Sequence, residues 1–133
     1  MTTFLDTSAV LAFLDADDPR QPQADALWKK LFASTEELVS TNYVLVETFA
    51  LVQRRLGMEA VRSIQREIVP ILEIEWLDGE MHRLALNEFL AASRRHLSLV
   101  DCASFEVMRR RGIRRVFAFD GHFSEYGFEP ITE

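Results

Sequence analysis

The amino-acid sequence predicts an α/β fold of three layers, with helices on both faces of a central, mainly parallel sheet of about four to five strands. Three observations predict it. Short apolar runs bounded by turn residues alternate along the chain with segments of helical periodicity. Two of the runs, Phe4-Leu5 and Val116-Phe117-Ala118-Phe119, are apolar throughout, as strands buried on both faces are, and each stops on an aspartate, Asp6 and Asp120. At 133 residues the chain has the length of one domain, spanning 1–133, and can bury most of its apolar surface.

The first strand ends on Asp6, and Thr7 or Ser8 is placed to cap a helix over Ala9–Leu14, where Val10, Leu11, Phe13 and Leu14 recur at helical spacing. The acids and prolines of Asp15–Pro22 mark an exposed loop. Over Gln23–Ala33, residues Ala24, Leu27, Trp28, Leu31 and Phe32 form one apolar stripe with Lys29 and Lys30 on the other side, an amphipathic helix. Glu37–Ser40 makes a short strand. Thr41 or Asn42 then caps a helix over Tyr43–Leu56 that Gly57 ends. A further helix runs from Met58 to Val69 and closes at Pro70. Ile71–Leu77 sets Leu72, Ile74 and Trp76 against Glu73 and Glu75, the alternation of a strand with one wet face near a sheet edge. Asp78-Gly79 turns into a helix over Glu80–Arg95, and Ser98 caps the last long helix, which ends at Gly112. After the strand Val116–Phe119, Gly121-His122-Phe123 makes a turn and Phe128–Thr132 a final strand.

Composition bounds the function. No apolar run reaches the roughly 18 residues that span a bilayer, and no basic segment followed by an apolar one opens the chain, so the expected location is cytoplasmic, with no membrane partner. The single cysteine, Cys102, excludes an internal disulfide framework and reads as a small buried hydrophobe. The formal net charge is −6, whereas a protein that grips nucleic acid by neutralising phosphates alone is basic. A nucleic-acid role therefore needs bound cations or a local basic patch. Arg109, Arg110, Arg111, Arg114 and Arg115 supply the one strong basic cluster, readable as RNA contacts or as ordinary partners of a helix C-terminus.

Four carboxylates are placed unusually. Asp6 and Asp120 end strands, and ligands of open α/β sheets bind beyond strand ends. Glu47 has Tyr43 and Val44 one turn before it and Ala50 and Leu51 one turn after, an apolar face on which a carboxylate is costly unless paired, hydrogen-bonded or metal-bound. A salt bridge to an arginine or a place on the rim is the plainer alternative for Glu47, and a place in a functional site is the preferred reading. Asp101, three residues after Ser98, suits a capping box with Asp in place of Glu, while Leu97 and Phe105 on the same face point it toward covered ground. Converging carboxylates repel unless cations hold them, which implies a divalent metal site. With oxygen donors and no His or Cys cluster, Mg²⁺ or Mn²⁺ is expected rather than zinc, and His82 and His96 read as surface histidines.

The motifs Leu5-Asp6-Thr7-Ser8, Val46-Glu47-Thr48, Leu97-Ser98-Leu99-Val100-Asp101-Cys102-Ala103 and Phe119-Asp120-Gly121-His122-Phe123 resemble, in order and spacing, those of PIN-domain ribonucleases. The toxin subunits of VapBC toxin–antitoxin systems are most similar in length. The resemblance spans essentially the whole chain. It implies a PIN-like fold in which Asp6, Glu47, Asp101 and Asp120 are the catalytic, metal-binding acids and Ser8 is a supporting hydroxyl, with Ser98 only a helix cap. It further implies a Mg²⁺- or Mn²⁺-dependent endoribonuclease that leaves 5′-phosphate and 3′-hydroxyl ends, a homodimer, and a cognate antitoxin whose tail occupies the site. The family often has a basic residue where this chain has Gly121, a departure in the turn that would meet substrate. Single-stranded loops are the expected targets, because side chains cannot read the deep major groove of A-form RNA. The alternative is a non-catalytic PIN-fold module that binds protein or RNA, against which stand the four filled acidic positions. Phosphatases and phospho-acceptor domains also set aspartates at strand ends, but the acidic pairs they need are missing.

Overall fold

The computed structural model describes all residues, Met1–Glu133. Its strands are β1 (Thr2–Leu5), β2 (Glu37–Thr41), β3 (Leu72–Glu75), β4 (Arg115–Phe117) and β5 (Glu129–Pro130), joined by helices α1 (Thr7–Leu14), α2 (Gln21–Phe32), α3 (Asn42–Leu56), α4 (Met58–Ser63), α5 (Gly79–Ala92), α6 (Leu99–Arg111) and α7 (His122–Glu125). The strands lie in the order β3-β2-β1-β4-β5, and each neighbouring pair is parallel.

Successive side chains of a strand point to opposite faces, and here each face has its own core. Phe4, Val39 and Val116 enter one core with residues of α5, α6 and α7, while their chain neighbours Leu5, Leu38 and Phe117 enter another with α1 and α2. Helix α3 contributes Val44 to the first and Val52 to the second. These are the three layers that the apolar strands predicted. Aromatic rings fill both cores: Trp28 packs against Phe13, Phe32 and Phe117, and Phe105 stacks on Tyr126 and Phe128. Cys102 is fully buried, as expected of it.

The strand order places the site. From β1 the chain steps outward to β2 and then β3, and the α5–α6 crossover carries it back past β1 to β4. The direction of winding therefore reverses between β1 and β4, which opens a crevice beyond their carboxyl ends. The Asp6 amide donates to the Phe117 carbonyl at 3.1 Å and ties those two ends together.

Several boundaries differ from the sequence reading. The helix expected over Met58–Val69 is divided: α4 stops at Ser63, a wide π turn covers Ile64–Ile68, and a 3₁₀ turn covers Val69–Ile71. Pro70 has no N–H to give and its ring clashes with the preceding turn, while the wider winding keeps Ile64 and Ile68 in the core. Strand β3 takes the predicted edge position but ends at Glu75, and Trp76 is 67% exposed rather than facing inward. Helix α5 stops at Ala92 instead of Arg95 because Ser93 adopts the left-handed conformation, with φ 49°. Strand β4 ends at Phe117, and the expected turn over Gly121–Phe123 opens the short helix α7. The last strand shrinks to Glu129–Pro130.

Candidate active site

Asp6 leaves β1 and starts α1. It, rather than Thr7 or Ser8, is the N-cap: one carboxylate oxygen accepts from the Ser8 amide at 3.1 Å and from the Ser8 hydroxyl at 2.6 Å. The Ser8 hydroxyl oxygen also accepts from the Phe119 amide at 2.9 Å, so one serine joins the ends of β1 and β4. Thr7 turns inward instead, and its hydroxyl shares a 2.9 Å hydrogen bond with that of Thr48 on α3. Asp6 is 4% exposed. Burial pushes its carboxyl pKa up to about 7, aided by the charges of Asp101 and Glu47 and opposed by the two Ser8 hydrogen bonds.

Asp101 occupies the first turn of α6 and completes a reciprocal box. Its amide donates to the Ser98 hydroxyl and its carboxylate accepts from the Ser98 amide, each at 3.0 Å. Both sequence readings hold at once, because the side chain that caps the helix is also buried. Burial raises its pKa, Asp120 adds to the rise, and the Ser98 amide and His122 hold it down. Glu47 stands half-buried on α3, whose N-cap is Thr41, one of the two residues expected there. Burial raises its pKa, a hydrogen bond from Thr7 opposes the rise, and repulsion from Asp101 and Asp120 adds less to it. Asp120 follows β4 by three residues and accepts from the His122 amide at 2.9 Å.

The structure brings all four predicted acids, with Ser8, into one open cleft of about 270 Å³ at the carboxyl edge of the sheet. Behind two of these acids, outside the lining of the cleft itself, stands His122, which the sequence places in a turn. The His122 Nδ1 lies 3.0 Å from an Asp120 oxygen and 3.3 Å from an Asp101 oxygen. The signal was its spacing, two residues beyond the aspartate that closes a strand. His96 is exposed but lines the same cleft, and His82, expected at the surface, is half-buried and hydrogen-bonded to the Tyr43 hydroxyl.

The arginines lie elsewhere. Arg109, Arg110 and Arg111 end the helix that Asp101 begins, and Arg115 starts the strand that runs toward Asp120, so the cluster sits at the opposite edge of the sheet. Arg111, Arg114 and Arg115 line a separate cavity of about 400 Å³ there. Most are ion-paired: Arg109 with Glu88 and Glu106, Arg110 with Glu106, Arg111 with Glu73 and Glu75, and Arg115 with Glu36.

The donor set fits a divalent cation. Three carboxyl groups, Asp6, Glu47 and Asp101, whose pKa values are raised by burial and by neighbouring acids, regain a favourable charged state when a cation shares the cleft. One face of the cleft offers a cluster in which ligating atoms of Asp101, Asp120 and His122 lie within 4.8 Å of one another, and the His122 Nδ1 is buried with no hydrogen-bond partner.

A wholly parallel sheet with an acidic cleft at its switch point defines the class, and the chain matches the PIN domain over residues 3–129: it belongs to the PIN-domain family. Its particular likeness is to VapC toxins. Over 130 residues it is 37% identical to the 23S rRNA-specific endonuclease VapC20 of Mycobacterium tuberculosis, with 96% of each chain covered. It is 22% identical over 128 residues to the VapC ribonuclease of Aquifex aeolicus, covering 96% of this chain and 94% of that one. The crystal structure of the Mycobacterium tuberculosis VapC20, described as a sarcin–ricin loop cleaving toxin, matches the whole of both chains with a TM-score of 0.86 at 31% identity.

Proposed function

We propose that this protein is an endoribonuclease of the VapC type, hydrolysing RNA phosphodiester bonds with Mg²⁺ or Mn²⁺ held by Asp6, Glu47, Asp101 and Asp120. The observation that carries the reading is the convergence of these four acids in one cleft, with the Asp6 carboxyl driven to about 7. Burial of that kind destabilises the fold and is explained if a cation occupies the cleft. When bound, the metal supplies Lewis-acid stabilisation of the charge that develops on the phosphate and lowers the pKa of the attacking water.

The residues of the chain have separable tasks. Ser8 fixes the Asp6 carboxylate and, through the Phe119 amide, its distance from the loop that carries Asp120. The Ser98 box holds Asp101 in one rotamer. Glu47 leans over the same cleft from α3 and is placed to orient a water for attack on phosphorus. The water gives a proton to the Glu47 carboxylate as its oxygen bonds to phosphorus, the bond from phosphorus to the 3′ oxygen breaks, and that oxygen takes a proton from solvent water while Glu47 returns its own to solvent, which gives 5′-phosphate and 3′-hydroxyl ends. The cations also explain how a protein of net charge −6 receives a polyanion.

The named target of the VapC20 relative supports the sarcin–ricin loop of 23S rRNA as substrate, and the reading includes a cytoplasmic setting, an antitoxin that closes the cleft and a second copy of the chain. No helix is long and apolar enough to cross a membrane. Incubation of ribosomes with the purified protein and Mg²⁺, Mn²⁺ or EDTA, beside Asp101→Asn, tests the proposal. Discrete 23S rRNA fragments that need metal and vanish in the variant support it. Metal-independent cleavage, or cleavage by Asp101→Asn equal to the parent, refutes the site; no cleavage by protein that also fails to bind metal favours the non-catalytic module.

A further inference from the structure

We infer that His122 supplies a nitrogen ligand to the cation, so that Asp101, Asp120 and His122 form a mixed nitrogen–oxygen set that prefers Mn²⁺ to Mg²⁺. The inference rests on the proposed metal site and extends it to a residue outside the acidic quartet. Its basis is the position of one atom. The His122 Nδ1 is buried and has no hydrogen-bond partner, although oxygens of Asp120 and Asp101 stand only 3.0 Å and 3.3 Å away. It is within hydrogen-bond distance of both and aimed well at neither. Donor atoms about 2.1 Å from an octahedral ion and at right angles to one another stand about 3 Å apart. The nitrogen thus stands from both oxygens at the spacing of ligands on one ion, and the three atoms together lie within 4.8 Å of one another, whereas a hydrogen-bonded histidine clamp would not leave the nitrogen unsatisfied.

Local structure holds the ring there. His122 is the first residue of α7, and its amide donates to the Asp120 carboxylate, so backbone and side chain are fixed against the same acid. Phe123, next in the chain, is fully buried between Phe4, Phe105 and Phe128 and anchors the turn to the core. The Asp101 oxygen concerned is held in turn by the Ser98 amide. Ligation through Nδ1 leaves Nε2 to carry the proton of the neutral imidazole. An imidazole is a softer donor than carboxylate or water, so replacing one oxygen by it favours Mn²⁺ over the harder Mg²⁺.

Electron spin-echo measurements on the Mn²⁺-loaded protein read the bond directly. Nitrogen-14 modulation from one coordinated imidazole is expected in the parent and is absent in His122→Gln. Calorimetric titration gives the second readout: Mn²⁺ affinity falls at least about tenfold in His122→Gln, as loss of a ligand or its support does, while Mg²⁺ affinity changes much less. Circular dichroism of the metal-free variant confirms that it is folded, and the parent spectrum stands whatever the variant does. Absence of nitrogen modulation in the parent overturns the inference, as does an equal loss of both metals in the variant. A parent that shows the modulation but cleaves ribosomal RNA equally well in EDTA would retain the histidine ligand and refute the metal-dependent endoribonuclease reading, so the two failures are distinct.

Discussion

A carboxyl group that is 4% exposed and faces two other acids gives up its proton late. Asp6 holds its proton to about pH 7 in the folded chain, against 3.8 for the unfolded group. Between those values the folded state binds more protons, so this contribution to stability is complete below about pH 4 and is lost as pH rises through 7. In EDTA the melting temperature is therefore expected to fall between pH 5 and pH 8. Added Mn²⁺ or Mg²⁺ should restore it at pH 8 and do little at pH 5, where protons compete for the same oxygens; scanning calorimetry at the two pH values checks both. Asp6→Asn removes the charge but keeps the shape. It should raise the metal-free melting temperature at pH 8 while lowering the cleavage rate about 10³-fold, roughly 4 kcal/mol of barrier. Ser8→Ala removes a donor to Asp6 and an acceptor for Phe119. The expected loss is about 1–2 kcal/mol of stability together with an upward shift of the acidic limb of the pH–rate profile, a shift that a purely structural serine would not produce.

Helix α6 shows how one element carries both site and scaffold. Its N-terminus is fixed by the Ser98–Asp101 box, and its C-terminus by Gly112, whose φ of 68° ends the helix in a conformation that other residues resist. Between them Cys102, Ala103, Phe105, Val107 and Met108 are buried all round the helix, which packs on α5, α3 and β2. Ser98→Ala unsatisfies one end of that box. Urea melts should show a loss of about 1 kcal/mol, and metal titration a weaker site, because the Asp101 side chain is no longer held in one rotamer. A wild-type metal affinity in that variant would separate capping from ligand positioning.

Across the whole molecule, topology separates two charged regions that the sequence leaves close together. The acids stand at the carboxyl edge of the sheet and the arginines at the amino edge, with the length of α6 and β4 between them. Surface ion pairs such as Arg110–Glu106 and Arg109–Glu88 add little to stability in water and satisfy charges that RNA would otherwise compete for. Arg110→Gln combined with Arg114→Gln is therefore expected to leave single-turnover cleavage of a short RNA stem-loop within about twofold of the parent. A tenfold loss would mean that substrate reaches around the sheet edge.

Much of the fold was legible because its signals are local. Apolar runs marked β1 and β4, caps marked α3 and α6, the Leu72–Glu75 alternation marked an edge strand, and two aspartates closing buried runs located the carboxyl edge where the acids meet. The placement of Glu47 followed from physical cost, since a carboxylate on an apolar face needs a partner. What failed was where an element stops or changes its winding. Trp76 alternates correctly with its strand but lies beyond the strand's end, and Met58–Val69 has helical periodicity that Pro70 and the packing of Ile68 convert to wider winding. By itself the sequence determined the periods, the caps and the unusual acids, because each depends on a few adjacent residues. Only the tertiary structure decided that His122 meets Asp101, that Ser8 joins two strand ends and that five arginines face away from the cleft, because strand order and crossovers set which distant residues become neighbours.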